Sequence, residues 1–201
     1  MCGAFEQHGI AMHKWAAILA DWPANDIDRK NIRPTDLAAT LDAQGHALRK
    51  WSLLPRWSKE PKLKFATFNA RAETLTEKPT FRDAWRRSQR CIIPASAYFE
   101  WPVLDGKKQC HRLARDDGEG ILFGGLWETW QQAEIQLETF TIITTAAARD
   151  IDWVHPRTPL LIDIEHIDQW LTASPEEAGH LLRPRHNTGL QACAVLSPKE
   201  C

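Results

Sequence analysis

Alternating and continuous apolar runs mark most of this chain as strand. Residues 39–43 and 46–53 flank a Gln44-Gly45 turn and predict a hairpin, and 91–99, 121–127, 140–145 and 190–196 are further runs of β-branched, aromatic or small apolar residues. Helical spacing occurs in fewer places. Residues 12–22 set Trp15, Ile18, Leu19 and Trp22 three and four apart ahead of Pro23, and 164–172 and 175–182 read as short helices. Strands joined by loops, with few helices, predict an α+β protein: one domain over residues 1–201, a barrel-like, mainly antiparallel curved sheet and peripheral helices. At 201 residues, 43% of them hydrophobic, the chain can fill one substantial core.

Charge changes this picture only locally. The 25 Lys and Arg nearly balance the 26 Asp and Glu, so no overall field draws the protein to nucleic acid. Between Arg56 and Arg90, however, ten basic residues stand against four acidic ones, a net of plus six, with Trp57, Phe65, Phe68, Phe81 and Trp85 interleaved. Cations beside aromatic faces are what the phosphates and bases of a single strand require; a solvated face over core aromatics is the competing explanation. No run approaches a membrane span, and the first twenty residues resemble neither a signal peptide nor a presequence. Five widely spaced cysteines without a C-x-x-C fit neither a disulfide framework nor a zinc site, so an intracellular, cytoplasmic protein without metal or cofactor is expected.

Candidate chemistry begins at Met1-Cys2-Gly3. Removal of the initiator methionine, efficient before a small side chain, would leave Cys2 with an α-amine and a thiol on adjacent carbons. An α-amine has a pKa near ~8, low enough to attack an aldehyde at neutral pH; the thiol can then close a five-membered thiazolidine. Asn69 and Arg71 lie within the basic stretch, suited to orienting an amine and holding a phosphate, although Arg71 could equally pair with Glu73. Glu100 ends an apolar run beside Trp101, where apolar surroundings would raise its pKa toward that of a proton shuttle. His155 and Arg157 are presented on a loop framed by Pro156 and Pro159.

In this order, Met-Cys-Gly, Asn69-Ala-Arg71-x-Glu73-Thr74, Pro94-Ala-x-x-x-Phe99-Glu100-Trp101, Thr144-Thr-Ala-Ala147 and His155-Pro-Arg-x-Pro159 resemble the SRAP (SOS-response-associated peptidase) family. Asn31-Ile-Arg-Pro-Thr35 and Trp51-Ser-Leu-Leu-Pro-Arg-Trp57 resemble two further segments of it. The resemblance implies a barrel-like fold that binds single-stranded DNA and joins an abasic site to Cys2 as a thiazolidine, with self-removal of Met1 and lyase activity as companion chemistry. By similarity Cys2 is the nucleophile, Asn69 positions the amine, Glu100 moves protons, His155 assists at the sugar hydroxyl and Arg71 holds a phosphate. Trp101 and Thr145 match positions lining the family's DNA channel. Trp57 and Arg157 join them here as expected DNA contacts of a monomer whose partner is single-stranded DNA containing abasic sites, with no membrane.

The departures are specific. Ala4 stands where the family has an Arg that touches the DNA backbone, so one phosphate contact is expected to be missing; Ser52, Ser58 and Thr158 replace the usual Gly, Trp and Met. Two other readings compete with covalent capture: an N-terminal-nucleophile cysteine peptidase or amidohydrolase using Cys2, Glu100 and His155, and a non-covalent single-strand binder in which Cys2 is incidental.

Overall fold

A computed structural model describes residues 2–8 and 29–198; the predicted 12–22 helix lies outside them. The hairpin forms as expected from β3 (Leu37–Asp42) and β4 (Gly45–Trp51). Its turn is built by Asp42, whose Oδ1 accepts the Gln44 N–H at 2.7 Å, and by Gly45 at φ +124, a conformation that favours glycine.

Five strands close a barrel. In order around it, β3 pairs with β4, β4 with β12 (Ile135–Ala146), β12 with β11 (Ile121–Gln132), β11 with β6 (Arg90–Ala95), and β6 returns to β3 at Leu41 and Ile92. All these pairs are antiparallel except β4 with β12. Closure leaves no free edge around the ring. It requires β11 to pair with β6 through its first half and with β12 through its second, and the exchange occurs at Gly124-Gly125. A Cβ on Gly125 would stand 2.6 Å from the Thr141 carbonyl oxygen and 2.5 Å from Ile93 Cδ1. We expect Gly125→Ala to lose about 1–3 kcal/mol of stability, read as a lower midpoint in urea; an unchanged midpoint would show that the closure tolerates a side chain.

Beyond the ring, β12 continues between β5 (Asn69–Arg71), parallel to it, and β13 (Arg157–Pro159), antiparallel. A second, wholly antiparallel sheet has the order β14 (Leu190–Ala194), β10 (His111–Arg115), β7 (Ala97–Glu100), β1 (Ala4–Gln7), β2 (Arg29–Ile32). β8 (Val103–Leu104) and β9 (Lys107–Lys108) form a small ribbon. The run 91–99 is therefore two strands. The chain leaves the barrel for the second sheet at Ser96, whose N–H donates to the Glu6 carbonyl at 2.9 Å. The helices are short: α1 (Arg82–Arg86), which apolar spacing did not suggest; α2 (Ile167–Thr172), which with the 3₁₀ turn at Ile164–His166 fills the expected 164–172; and α3 (Pro175–Gly179), shorter than the expected 175–182. α3 opens with a capping box in which Ser174 and Glu177 exchange hydrogen bonds.

Two cores follow. One gathers Leu53, Leu126, Ile143, Trp85 and Trp170 under α1 and α2. The other joins β1 to the barrel through Phe5, Trp51, Phe123, Phe140 and Tyr98, with the Phe5 and Trp51 rings edge to face at 5.0 Å, and it includes Cys2. Gln7 ties the layers: its amide donates to the carbonyls of Ala39 and Pro94 at 2.8 and 2.7 Å and accepts from the Ala39 N–H.

Candidate functional site

Strand pairing and a side-chain hydrogen bond bring three distant segments together where β1 begins. Ala4 pairs with Phe99, so Cys2 lies beside the end of β7 that carries Glu100. On the barrel side β5 presents Asn69, whose Nδ2 donates to the Cys2 carbonyl at 2.8 Å. Asn69 and Arg71 share one face of β5, because successive side chains alternate, while Ala70 between them is buried. Asn69 Oδ1 is enclosed with no hydrogen-bond partner among the described residues, an acceptor held ready for a donor.

Cys2 is fully buried, and its Sγ lies 3.5 Å from the Ala4 carbonyl oxygen. Burial, and after it the charge of Glu100, push the thiol pKa well up, so the sulfur is held as S–H. Glu100 is 4% exposed, and its burial raises the carboxyl above the ordinary range. His155 has the opposite shift: burial depresses its pKa, and its Nδ1 accepts the Arg157 N–H at 2.9 Å. Nδ1 also lies 3.2 Å from the Arg157 carbonyl oxygen, so the loop backbone holds the ring by this nitrogen in either tautomer.

The predicted DNA contacts are placed unequally. Arg71 is exposed. Arg157 is not free: its guanidinium forks onto both oxygens of Glu73, at 2.6 and 2.9 Å, so Glu73 pairs with Arg157 and lowers its own pKa by doing so. Trp57 is 51% exposed and pinned by its indole N–H to the Pro79 carbonyl at 3.1 Å. Trp101 is half-buried, with the Arg33 guanidinium over its ring at 5.1 Å. Thr145 is 2% exposed, its hydroxyl turned onto the Ala146 carbonyl, so it shapes the end of β12 without offering a surface.

The basic stretch also divides. Arg90 is buried, bonding the carbonyls of Trp170 and Ala173 at the C-terminal end of α2, and Arg87 is tied to Glu128, whereas Arg56, Lys59, Lys62, Lys64, Arg71, Lys78 and Arg86 reach solvent. Sequence reasoning missed Tyr98, buried against Cys2 and within 3.3 Å of the Thr158 hydroxyl, and gave Arg33 no role. The cluster Asp163, Glu165 and His166 brings possible ligand atoms within 4.8 Å of one another, but Asp163 is already paired with Arg185, and the group reads as a surface charge network.

The fold is a closed barrel with a second sheet, and at the start of β1 it sets a buried cysteine near the end of β7 that carries Glu100, with its carbonyl bound by Asn69. The chain belongs to the SRAP family, SOS response associated peptidase, whose model matches residues 1–198. It is 36% identical over 176 residues, 83% of this chain and 77% of that one, to the abasic site processing protein YoaM of Bacillus subtilis. It is 33% identical over 171 residues to the abasic site processing protein YMR114C of Saccharomyces cerevisiae, matching 78% of this chain and 45% of that protein. A solved structure from Bordetella bronchiseptica superposes with a TM-score of 0.86 at 26% identity, covering 96% of this chain and 99% of that one.

Proposed function

We propose that this protein processes abasic sites in single-stranded DNA inside the cell by covalent capture through the N-terminal amine and thiol of Cys2. The relatives' names supply the substrate class, and the observation that carries the chemistry is a buried Cys2 whose carbonyl is held by Asn69 beside the end of β7 that carries Glu100. While Met1 is attached the Cys2 nitrogen is an amide; its loss exposes an amine. That amine attacks C1′ of the ring-opened sugar, and water leaves to give an imine. The thiol S–H then adds across the C=N bond, sulfur to carbon and proton to nitrogen, closing a thiazolidine. An amine-first order needs no thiolate, which suits a thiol whose pKa is raised.

Glu100, with its carboxyl pKa raised, gives and takes the protons of addition and water loss. Asn69 holds the Cys2 backbone and offers Oδ1 to the amine. His155 presents its imidazole to the sugar hydroxyl, and Arg71 takes a neighbouring phosphate. Trp57 and Trp101 flank the strand's path, while Arg157 and Thr145 hold the end of β12 against β13. The peptidase reading extends here only to self-removal of Met1. Intact mass spectrometry tests the reading: the purified protein should lack the mass of Met1 and, with an oligonucleotide carrying one abasic site, gain one DNA mass that survives denaturation. A protein with a free Cys2 terminus that forms no adduct would refute it.

A further inference from the structure

We propose that Arg33, which follows β2 and stacks on Trp101, forms a phosphate subsite for the strand beside the capture site. The inference rests on the single-strand reading above and names a contact within it. β1 lies between β7 and β2, with Phe5 paired to Ile32 on one side and Ala4 to Phe99 on the other. Arg33 follows Ile32 and Trp101 follows Glu100, so the two flank β1 across two strand spacings, roughly 10 Å. The arginine nonetheless brings its guanidinium carbon to 5.1 Å from the Trp101 ring centroid. It can do so because residue 4 is small: Ala4 is fully buried in a cluster with Phe99 and Cys110 on which Trp101 packs.

The guanidinium is fixed from several sides. Its Nε donates to Asn31 Oδ1 at 2.8 Å, the Arg33 N–H donates to Asp36 Oδ2 at 2.9 Å, and the next residue is Pro34. Its two terminal nitrogens make no hydrogen bond or ion pair among the described residues. Most other arginines of the structure that are held in place are consumed by their neighbours: Arg157 by Glu73, Arg49 by Asp42 and Glu138, Arg112 by Glu6, Arg87 by Glu128 and Arg90 by main-chain carbonyls. A planar, partly exposed cation held over Trp101, with two NH₂ groups that make no hydrogen bond among the described residues, matches the two unesterified oxygens of a phosphodiester. Trp101 beneath it keeps that cation over the aromatic face.

The test is the salt dependence of binding to a fluorescent oligothymidine without an abasic site, followed by anisotropy. Arg33→Gln should bind about tenfold more weakly at low salt, and the slope of log K against log salt should become shallower by about 0.7, one phosphate contact on a single strand. Arg33→Lys keeps the charge and should keep the slope, which separates loss of the contact from loss of the fold. If wild type shows salt-dependent binding and Arg33→Gln shows the same affinity and slope, the Arg33 subsite is wrong while single-strand binding stands. If wild type shows no salt-dependent binding, both are wrong.

Discussion

Cys2→Ser will lose the denaturation-stable adduct to the level of a DNA-only control while still forming an imine that borohydride traps. The two halves of the expectation come from the two groups on residue 2. Serine leaves the α-amine, so attack on the aldehyde and loss of water continue. The hydroxyl is a poor partner for closing the ring, so the imine stays open to hydrolysis and, by β-elimination, to strand cleavage. Product should therefore move from stable adduct to cleaved DNA, with Cys2→Ala behaving alike. Because retained methionine would also abolish reaction, intact mass must first establish that residue 2 is the terminus in each variant; a cleavable leader ending before residue 2 secures this. A Cys2→Ser adduct as stable as the wild-type one would exclude the thiazolidine. Loss of imine as well, with the terminus free, would shift the role of Cys2 from ring closure to the first attack. The other buried thiol of the same core, Cys91, is pushed up to about 12 by burial and carries no neighbouring amine, so it cannot substitute.

The elements readable from sequence were those whose apolar residues face a core directly: the β3–β4 hairpin and the long strands β11 and β12. β1 was missed for a physical reason. Ala4-Phe5-Glu6-Gln7 is half polar, yet all four residues are buried, because Gln7 is bonded to β3 and β6 and Glu6 is paired with Arg112 from β10. A strand whose polar side chains find partners 32 to 106 residues away leaves no alternation to detect. The candidate site divides in the same way. Cys2, Asn69, Glu100 and His155 could be named because each sits in a recognisable short segment, and strand pairing brings Cys2, Asn69 and Glu100 into one neighbourhood. Arg33 was quoted within such a segment without a role, since its function depends on which residue lies across two strands. Conversely, Arg87 and Arg90 counted toward a basic stretch, but the fold pairs them with Glu128 and with carbonyls at the C-terminal end of α2.

Glu100→Gln should make the protein more stable and less active at once. Burial holds the Glu100 carboxyl pKa above its unfolded value, so the folded state binds this proton more tightly than the unfolded chain does. The associated stability is fully present below the unfolded pKa and is lost as pH rises through the folded pKa. At neutral pH the wild type bears that loss, and glutamine, nearly isosteric and never ionised, does not. Each unit of the shift corresponds to about 1.4 kcal/mol, and each kcal/mol to about 2–4 °C of Tm for a chain of this size. The Tm difference between variant and wild type should vanish as pH falls below the ordinary carboxyl range. Crosslinking should respond in the other direction. Glutamine cannot exchange a proton with the carbinolamine, so the adduct rate at saturating DNA should fall by about 10²–10⁴, and the wild-type pH dependence attributable to this group should disappear with it. A variant that is stabilised but crosslinks at the wild-type rate would leave Glu100 as a buried structural acid and return proton transfer to His155. One that crosslinks poorly and is also destabilised at neutral pH would mean that the charged carboxylate is held by partners strong enough to outweigh its burial.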